Sequence, residues 1–191
     1  PPGTQYVYTY GETRGGPWSH TLYVPFLKAF CEEYLKPVTQ ADLEEAEKRW
    51  TKMGLPFFRD QWQYIIDTYD GALPITIRSA AEGSLIPVQN ALFTIINEDP
   101  KCYWLTTWIE TAILRAAWYP VTVATLCYEI RKSIEEGLKI SGTEGTARYK
   151  LVDFGARGVS SFESSGIGGA AFLSVFNASD NMNAIMWASQ Y

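Results

Sequence analysis

One histidine, His20, and three cysteines, Cys31, Cys102 and Cys127, are all that 191 residues hold of the two side chains most used for metal binding and nucleophilic catalysis. A Ser–His–Asp triad can be built only through His20, and a histidine-rich metal site is excluded. The cysteines are odd in number and widely spaced, with no CxxC pair, so they form neither a disulfide framework nor a metal knuckle. They read as buried, reduced thiols of an intracellular protein, and His20 as a structural or surface residue. Long apolar runs are missing too. The most apolar stretch, around Ala170–Phe176, is far short of the roughly 20 residues that span a bilayer, so no membrane span is expected. Positive charge is scarce: 16 Lys and Arg face 21 Asp and Glu, for a net charge of −5. Without a basic stripe, nucleic-acid binding by bulk electrostatics is not expected, although one or two arginines suffice to grip a compact phosphate.

The chain is 47% apolar and contains seven tryptophans, which argues against disorder and for one domain, or one domain with part of a second. The charge is uneven. Residues 1–100 carry 8 basic and 13 acidic side chains, whereas residues 101–191 carry 8 of each. The acidic run Asp42–Glu47 reads as a solvated helix face.

Patterning predicts a strand over Gln5–Tyr10, a turn-rich loop over Gly11–Pro17 that carries Arg14, and a helix over Leu22–Leu35. Thr39, with Asp42 three residues on, predicts the start of a second helix that Gly54 ends. Asp60 is the expected cap of a third, with Trp62, Ile65, Ile66 and Tyr69 on one face and Gly71 as its stop. Pro74–Arg78, Ser84–Val88 and Ala91–Ile96 read as an antiparallel meander. After Asp99-Pro100 an apolar helix over Cys102–Trp118 is expected, broken at Pro120, with another helix from Val121 to Leu138. The aromatic residues Tyr103, Trp104, Trp108, Trp118 and Tyr119, at helical spacing, read as core or subunit interface rather than a stacking platform.

The last 43 residues carry the chemistry. Tyr149–Phe154 reads as a buried strand, Gly155–Gly158 as a tight loop, Ser160–Ala171 as a helix and Phe172–Phe176 as a second strand. A right-handed crossover makes two such strands parallel. Arg157 and Asp180 then fall just past the carboxyl ends of the strands, the edge where α/β proteins bind ligands. Two tempting motifs fail. Asp153-Phe154-Gly155 lacks the catalytic loop and lysine strand of a kinase. Gly166-Ile-Gly168-Gly169 lies inside a helix pattern and reads as close helix packing, not a dinucleotide fingerprint. Asp153 itself reads as structural, satisfying backbone amides at a strand end.

In order along the chain, Tyr69-Asp-Gly-Ala-Leu-Pro74, Ala81-Glu-Gly83, Ile86-Pro87, Asn90-Ala-Leu-Phe93, Asp99-Pro-Lys-Cys-Tyr-Trp-Leu-Thr-Thr-Trp-Ile-Glu-Thr111, Trp118-Tyr-Pro-Val-Thr-Val-Ala-Thr125, Asp153-Phe-Gly-Ala-Arg-Gly-Val-Ser-Ser161, Gly166-Ile-Gly168 and Asp180 resemble the nicotinamide phosphoribosyltransferases. The resemblance covers essentially the whole chain, which would be less than half of a family member. It implies an α/β fold with an α+β N-terminal portion, in which a β-rich meander with helices leads into the first βα units of an incomplete phosphoribosyltransferase barrel. The implied divisions are residues 1–100, β-rich and helical; residues 101–148, helical and contributing to a dimer interface; and residues 149–191, the start of the barrel.

The implied activity is that of a pentosyltransferase. It moves the phosphoribosyl group of 5-phosphoribosyl-1-pyrophosphate (PRPP) to nicotinamide, yielding nicotinamide mononucleotide and pyrophosphate in NAD salvage. Mg²⁺ acts through PRPP and pyrophosphate, ATP is a stimulator of the complete enzyme, and the site is shared across a homodimer in the cytoplasm. By resemblance, Phe154 stacks on the ring, Arg157 contacts the diphosphate, Asp180 accepts from the carboxamide, and Arg14 reaches the 5-phosphate in the partner's site. No residue is assigned as catalytic in the strict sense and none as a metal ligand. Tyr149 and Val152 would line a tunnel beyond the ring pocket. The family commonly has His where this chain has Val152 and Tyr where it has Ala156, which alters the polarity and width of that tunnel. A nicotinate phosphoribosyltransferase and a non-catalytic oligomerisation module are the alternatives. The isolated chain would end on the opening strands of a barrel and is expected to be inactive and poorly soluble alone, since open sheet edges and apolar faces promote association. Size-exclusion chromatography with thermal melting checks this; a monodisperse, cooperatively melting monomer would contradict it.

Overall fold

A computed structural model describes residues 1–24 and 26–191. In chain order the elements are β1 (Tyr8–Glu12), β2 (His20–Leu22), α1 (Leu27–Tyr34), α2 (Gln40–Lys52), α3 (Arg59–Tyr69), β3 (Ile75–Ser79), β4 (Leu85–Pro87), β5 (Ala91–Asn97), α4 (Leu105–Ser141), β6 (Val152–Asp153), α5 (Phe162–Leu173), β7 (Ala178–Ser179) and α6 (Met182–Gln190). The architecture is α/β, as the sequence implies. Two units form. The first comprises Pro1–Gly11, Phe30–Ser79 and Phe93–Ala112; the second comprises Glu12–Ala29, Ala80–Leu92 and Ile113–Tyr191.

In the first unit, a sheet of order β1-β5-β3 packs beneath helices. β3 and β5 are antiparallel, with Ile75 opposite Asn97 and Ser79 opposite Phe93. Gly11 of β1 lies flat on Phe93, whose ring carbon comes within 2.3 Å of where a β-carbon would be. α2 starts as expected, with a capping box: the Thr39 hydroxyl accepts from the Asp42 amide at 3.2 Å, and the Asp42 carboxylate accepts from the Thr39 amide at 2.9 Å. α3 has no side-chain cap. Phe58 occupies the cap position and Asp60 falls inside the first turn, so the expectation of an Asp60 cap is corrected. There its charge still faces the positive end of the helix. Asp70 in left-handed conformation and Gly71 close α3, and a β-carbon on Gly71 would strike the Val38 carbonyl. Four tryptophans cluster on these helices: Trp62 packs edge-on against Trp104 at 4.7 Å and Trp108 at 5.4 Å, and Trp50 lies 5.8 Å from Trp108. Trp104 thus packs against the buried core of Ile65, Cys102 and Leu105, whereas Trp108 remains half-exposed.

A buried polar knot closes this unit. Asp99 accepts hydrogen bonds from the Tyr64 hydroxyl (2.8 Å), the Tyr69 hydroxyl (2.7 Å) and the Lys101 amide (2.7 Å). The Asn97 side chain joins it, accepting from the Val7 amide and donating to the Gln5 and Asp99 carbonyls, each at 2.8 Å. These bonds, Tyr69's first, hold the Asp99 carboxyl below the usual carboxylate range.

In the second unit, β2 pairs antiparallel with β4, Thr21 opposite Ile86. The expected meander is thus corrected. β4 does not lie between β3 and β5, because left-handed turns at Gly83 and Gln89 steer the chain away at both of its ends. The helix expected over Leu22–Leu35 begins only at Leu27, since Leu22 is a strand residue whose amide donates to Thr125 Oγ1 at 2.9 Å; residue 25 of that expectation lies outside the described residues. Pro120 does not break α4, which runs 37 residues through it. Proline deletes one helix donor at a cost of about 3 kcal/mol. Buried Ile113, Ala117, Val121 and Ala124 flank it on one face, and their packing offsets that loss.

The β-α-β unit forms with shifted boundaries. The buried strand expected over Tyr149–Phe154 shrinks to the two residues of β6, with Tyr149 in a 3₁₀ turn and Tyr149, Val152 and Phe154 all exposed. The loop Gly155–Gly158 is a 3₁₀ turn. Phe172–Phe176 is not a strand. α5 extends to Leu173, the amides of Val175 and Phe176 donate to the Phe172 carbonyl, and the strand comes two residues later as β7. Phe172, Val175 and Phe176 are all buried at helical spacing, which a short apolar run cannot distinguish from a buried strand. β6 and β7 are parallel, Val152 beside Ala178 and Asp153 beside Ser179.

Because the folded state depresses the Asp99 pKa, its contribution to stability is complete above the unfolded value of about 3.9 and is lost as pH falls through the folded one. Denaturant melts from pH 7 to pH 3 are expected to show Asp99→Asn less stable than wild type at pH 7, with the gap narrowing below pH 4. A gap that stays constant would contradict this linkage.

Candidate functional site

β6 and β7 end at the same sheet edge, and the side chains singled out from sequence stand there. Phe154 follows β6 directly, Arg157 sits in the 3₁₀ turn after it, and Asp180 follows β7 directly. The ladder continues one step past the strands, the Asp180 amide donating to the Asp153 carbonyl at 2.9 Å. Phe154 and Asp180 are therefore held as neighbours by backbone pairing. Phe154, Arg157 and Asp180 are all exposed, and none of the three has a side-chain hydrogen bond, ion pair or ring contact among the described residues. An apolar ring, a guanidinium and a carboxylate, all without protein partners, are thus open to solvent at one edge. Such a set can stack on a flat ring, grip an anion and accept from an amide.

Arg14 lies in the loop between β1 and β2, exposed and without an ion pair among the described residues, and no contact joins it to the other three. His20 stands apart. Its Nε2 is 2.7 Å from Glu129 Oε1 and its ring is edge-on to Tyr128 at 5.8 Å, a half-buried structural setting. Burial pushes the Cys102 and Cys127 thiols up to about 11, as expected of unreactive core cysteines.

Beneath the exposed residues lies a polar layer in which Asp153 takes a backbone amide, as the sequence reading expects, and joins Ser179 and Asn181, which that reading missed. Asp153 Oδ1 accepts from the Gly155 amide at 2.7 Å, while its Oδ2 takes the Ser179 hydroxyl at 3.4 Å and the Asn181 amide nitrogen at 3.2 Å. Asn181, only 3% exposed, also donates to the Ser165 carbonyl at 2.9 Å, accepts from the Ser165 hydroxyl at 3.0 Å and caps α6 through the Ala184 amide. The signal was present: an Asn before the apolar run Met182–Trp187 is a helix start. α6 itself was missed with it.

The glycines of α5 bring these groups together. A β-carbon on Gly168 would sit 2.6 Å from the Tyr119 hydroxyl oxygen. One on Gly169 would sit 2.3 Å from the Ala184 β-carbon and 2.6 Å from Asn181 Nδ2. Close packing, not nucleotide binding, is what the glycine run does.

Residues 1–77 match the family described as nicotinamide phosphoribosyltransferase, N-terminal domain. Over 190 residues, 98% of the chain, it is 40% identical to a protein of Xanthomonas campestris pv. campestris named nicotinamide phosphoribosyltransferase. It is 30% identical over 122 residues, 63% of the chain, to one of the same name from Acinetobacter baylyi. The chain spans 40% of the Xanthomonas relative's length and 24% of the Acinetobacter relative's. In three dimensions, 96% of the chain superposes on 33% of human nicotinic acid phosphoribosyltransferase with a TM-score of 0.63 and 19% identity, a likeness of fold.

Overpacking a core costs about 1–3 kcal/mol, more than the roughly 1 kcal/mol that alanine gains over glycine within a helix. Gly169→Ala is therefore expected to lower stability in denaturant melts. Gly137→Ala in α4, where a β-carbon meets nothing within 4 Å, is expected to raise it. Equal responses would contradict the packing argument.

Proposed function

Taking the chain as kin, along nearly its whole length, to the nicotinamide phosphoribosyltransferases, we propose that it forms the N-terminal part of an enzyme of that activity. The reaction is transfer of the phosphoribosyl group of PRPP to nicotinamide: the bond from C1 of the ribose to the pyrophosphate oxygen breaks, a bond from C1 to the pyridine nitrogen forms, and pyrophosphate leaves. The observation that carries this reading is the 40% identity over 98% of the chain, joined to the clustering of Phe154, Arg157 and Asp180 at one sheet edge.

Each residue has a role that its chemistry supports. Phe154 stacks on the pyridine ring, limiting its tilt so that the nitrogen meets C1 in line. Asp180 accepts from the carboxamide N–H, and its exposed, unpaired carboxylate repels the carboxylate of nicotinate, which favours nicotinamide over the acid. Arg157 offers a planar fork to the diphosphate and neutralises charge as it departs. Arg14, on its own loop, reaches the 5-phosphate in the partner's site.

Among the described residues no group of three or more His, Cys, Asp or Glu side chains is assembled to hold a metal. The Mg²⁺ of the proposed reaction is assigned to PRPP and pyrophosphate, where it supplies charge neutralisation. ATP acts as a stimulator of the complete enzyme. Among the described residues no helix is long and apolar enough to cross a membrane, and the proposed setting is the cytoplasm. A homodimer with shared sites is supported by α4, where Leu114, Trp118 and Leu126, spaced by four and eight residues, are 41–61% exposed. Residues 101–148 are the proposed interface segment, and residues 149–191 the opening of the barrel.

Losing a hydrogen bond to a charged group costs about 1.5–3 kcal/mol, roughly 10- to 150-fold. In the whole polypeptide, Asp180→Ala is expected to lower kcat/KM for nicotinamide by about that factor with an unchanged melting temperature. Competition between nicotinamide and nicotinate should show the amide preferred in wild type and the preference lost in the variant. Unchanged kinetics, or a wild-type preference for the acid, would overturn the assignment of Asp180.

A further inference from the structure

Asp153 has a pattern of bonds that a simple strand-end cap does not need. Among the described residues its side chain bonds only to residues that neighbour the exposed site residues. Oδ1 holds the amide of Gly155, next to Phe154 and at the head of the turn carrying Arg157. Oδ2 holds Ser179 and Asn181, the two residues on either side of Asp180. Its carbonyl receives the Asp180 amide itself. Asn181 is locked in turn to α5 through Ser165, and the missing side chain at Gly169 leaves room for both, since a β-carbon there would lie 2.6 Å from Asn181 Nδ2 and 3.2 Å from Asp153 Oδ2.

We propose that Asp153 is a positioning residue that sets the separation between the ring-stacking face of Phe154 and the carboxamide acceptor of Asp180, and with it the fit of nicotinamide. The inference rests on the function proposed above. A carboxylate suits this task because it is acceptor-only: both oxygens take donors from two loops at once. Nicotinamide is the ligand that senses the separation, because it must stack and hydrogen-bond in the same pose. The diphosphate needs only the Arg157 turn, which the Gly155 bond keeps in place.

Asp153→Asn separates the two halves of the clamp. The remaining side-chain oxygen still accepts from the Gly155 amide, while the new NH₂ meets the NH₂ of Asn181, donor against donor. Ser179→Ala removes a donor to Asp153 and the acceptor of the Asn181 backbone amide, both on the Asp180 side, and carries the test by the same criterion if Asp153→Asn does not fold. Steady-state kinetics on the whole polypeptide are expected to show KM for nicotinamide raised about tenfold, KM for PRPP within about twofold of wild type, and a smaller preference for nicotinamide over nicotinate. A merely structural carboxylate would lower the melting temperature and leave both KM values alone. That result, or an equal rise in both, overturns the proposal. Asp180→Ala, run alongside, tells the two failures apart. If it loses nicotinamide turnover while Asp153→Asn does not, only the positioning role falls. If neither variant changes nicotinamide kinetics, the proposed function of the site falls with it.

Discussion

The close approach of α5 to its neighbours is the constraint on which the second unit depends. Gly166, Gly168 and Gly169 turn bare backbone toward Trp187, Tyr119 and Ala184. A crossover helix with side chains at those places would stand several tenths of an ångström to more than an ångström further out. The two strands it connects would then part, because β6 and β7 share only two residue pairs and have little ladder of their own to hold them. So short a pairing persists because the side chains of Asp153, Ser165 and Asn181 complete it from below. Polar groups at that depth stay there only when their hydrogen bonds are made, and each of these is bonded at more than one atom.

A different economy holds the first unit. There the sheet has a long central strand in β5, and the buried carboxylate of Asp99 sits at the junction of two tyrosine hydroxyls and a backbone amide, with the charge of Lys101 a smaller contribution and no direct ion pair among the described residues. Neutral donors stabilise the ionised form without the second desolvated charge that a buried ion pair would require. The flanking Asn97 extends the knot to Gln5 and Val7 and so ties the N-terminal segment to β5.

What the sequence made legible was local. The Thr39–Asp42 capping box, the α3 stop at Gly71 and the close-packing role of the α5 glycines all depend on residues within a few positions of each other or on a missing side chain. Partner choice in the sheets was not legible, because which strand β4 joins is settled by the turns at Gly83 and Gln89 and by β2, more than 60 residues earlier. Pro120 misled for a related reason. Its local cost is real, but the burial on both sides of it is a property of the folded unit. The edge holding Phe154, Arg157 and Asp180 was legible because a parallel β-α-β unit fixes where strands end even when their boundaries are misplaced by several residues. Beneath it, the strand-end role of Asp153 was legible too, but its bonds to Ser179 and Asn181 were not, since hydrogen bonds between residues 26 and 28 apart leave no periodic trace.

The tryptophan cluster has an optical consequence. Trp50, Trp62, Trp104 and Trp108, four of the chain's seven indoles, form one connected cluster within the first unit, with ring centroids of neighbouring pairs 4.7–6.4 Å apart. Indoles at that spacing exchange excitation and couple their transition dipoles, so emission and near-ultraviolet circular dichroism will be dominated by this one assembly. A fluorescence trace of this protein therefore follows the seam between α2, α3 and the start of α4. Events at the β6–β7 edge, whose site residues Phe154, Arg157 and Asp180 include no indole, will contribute little to it.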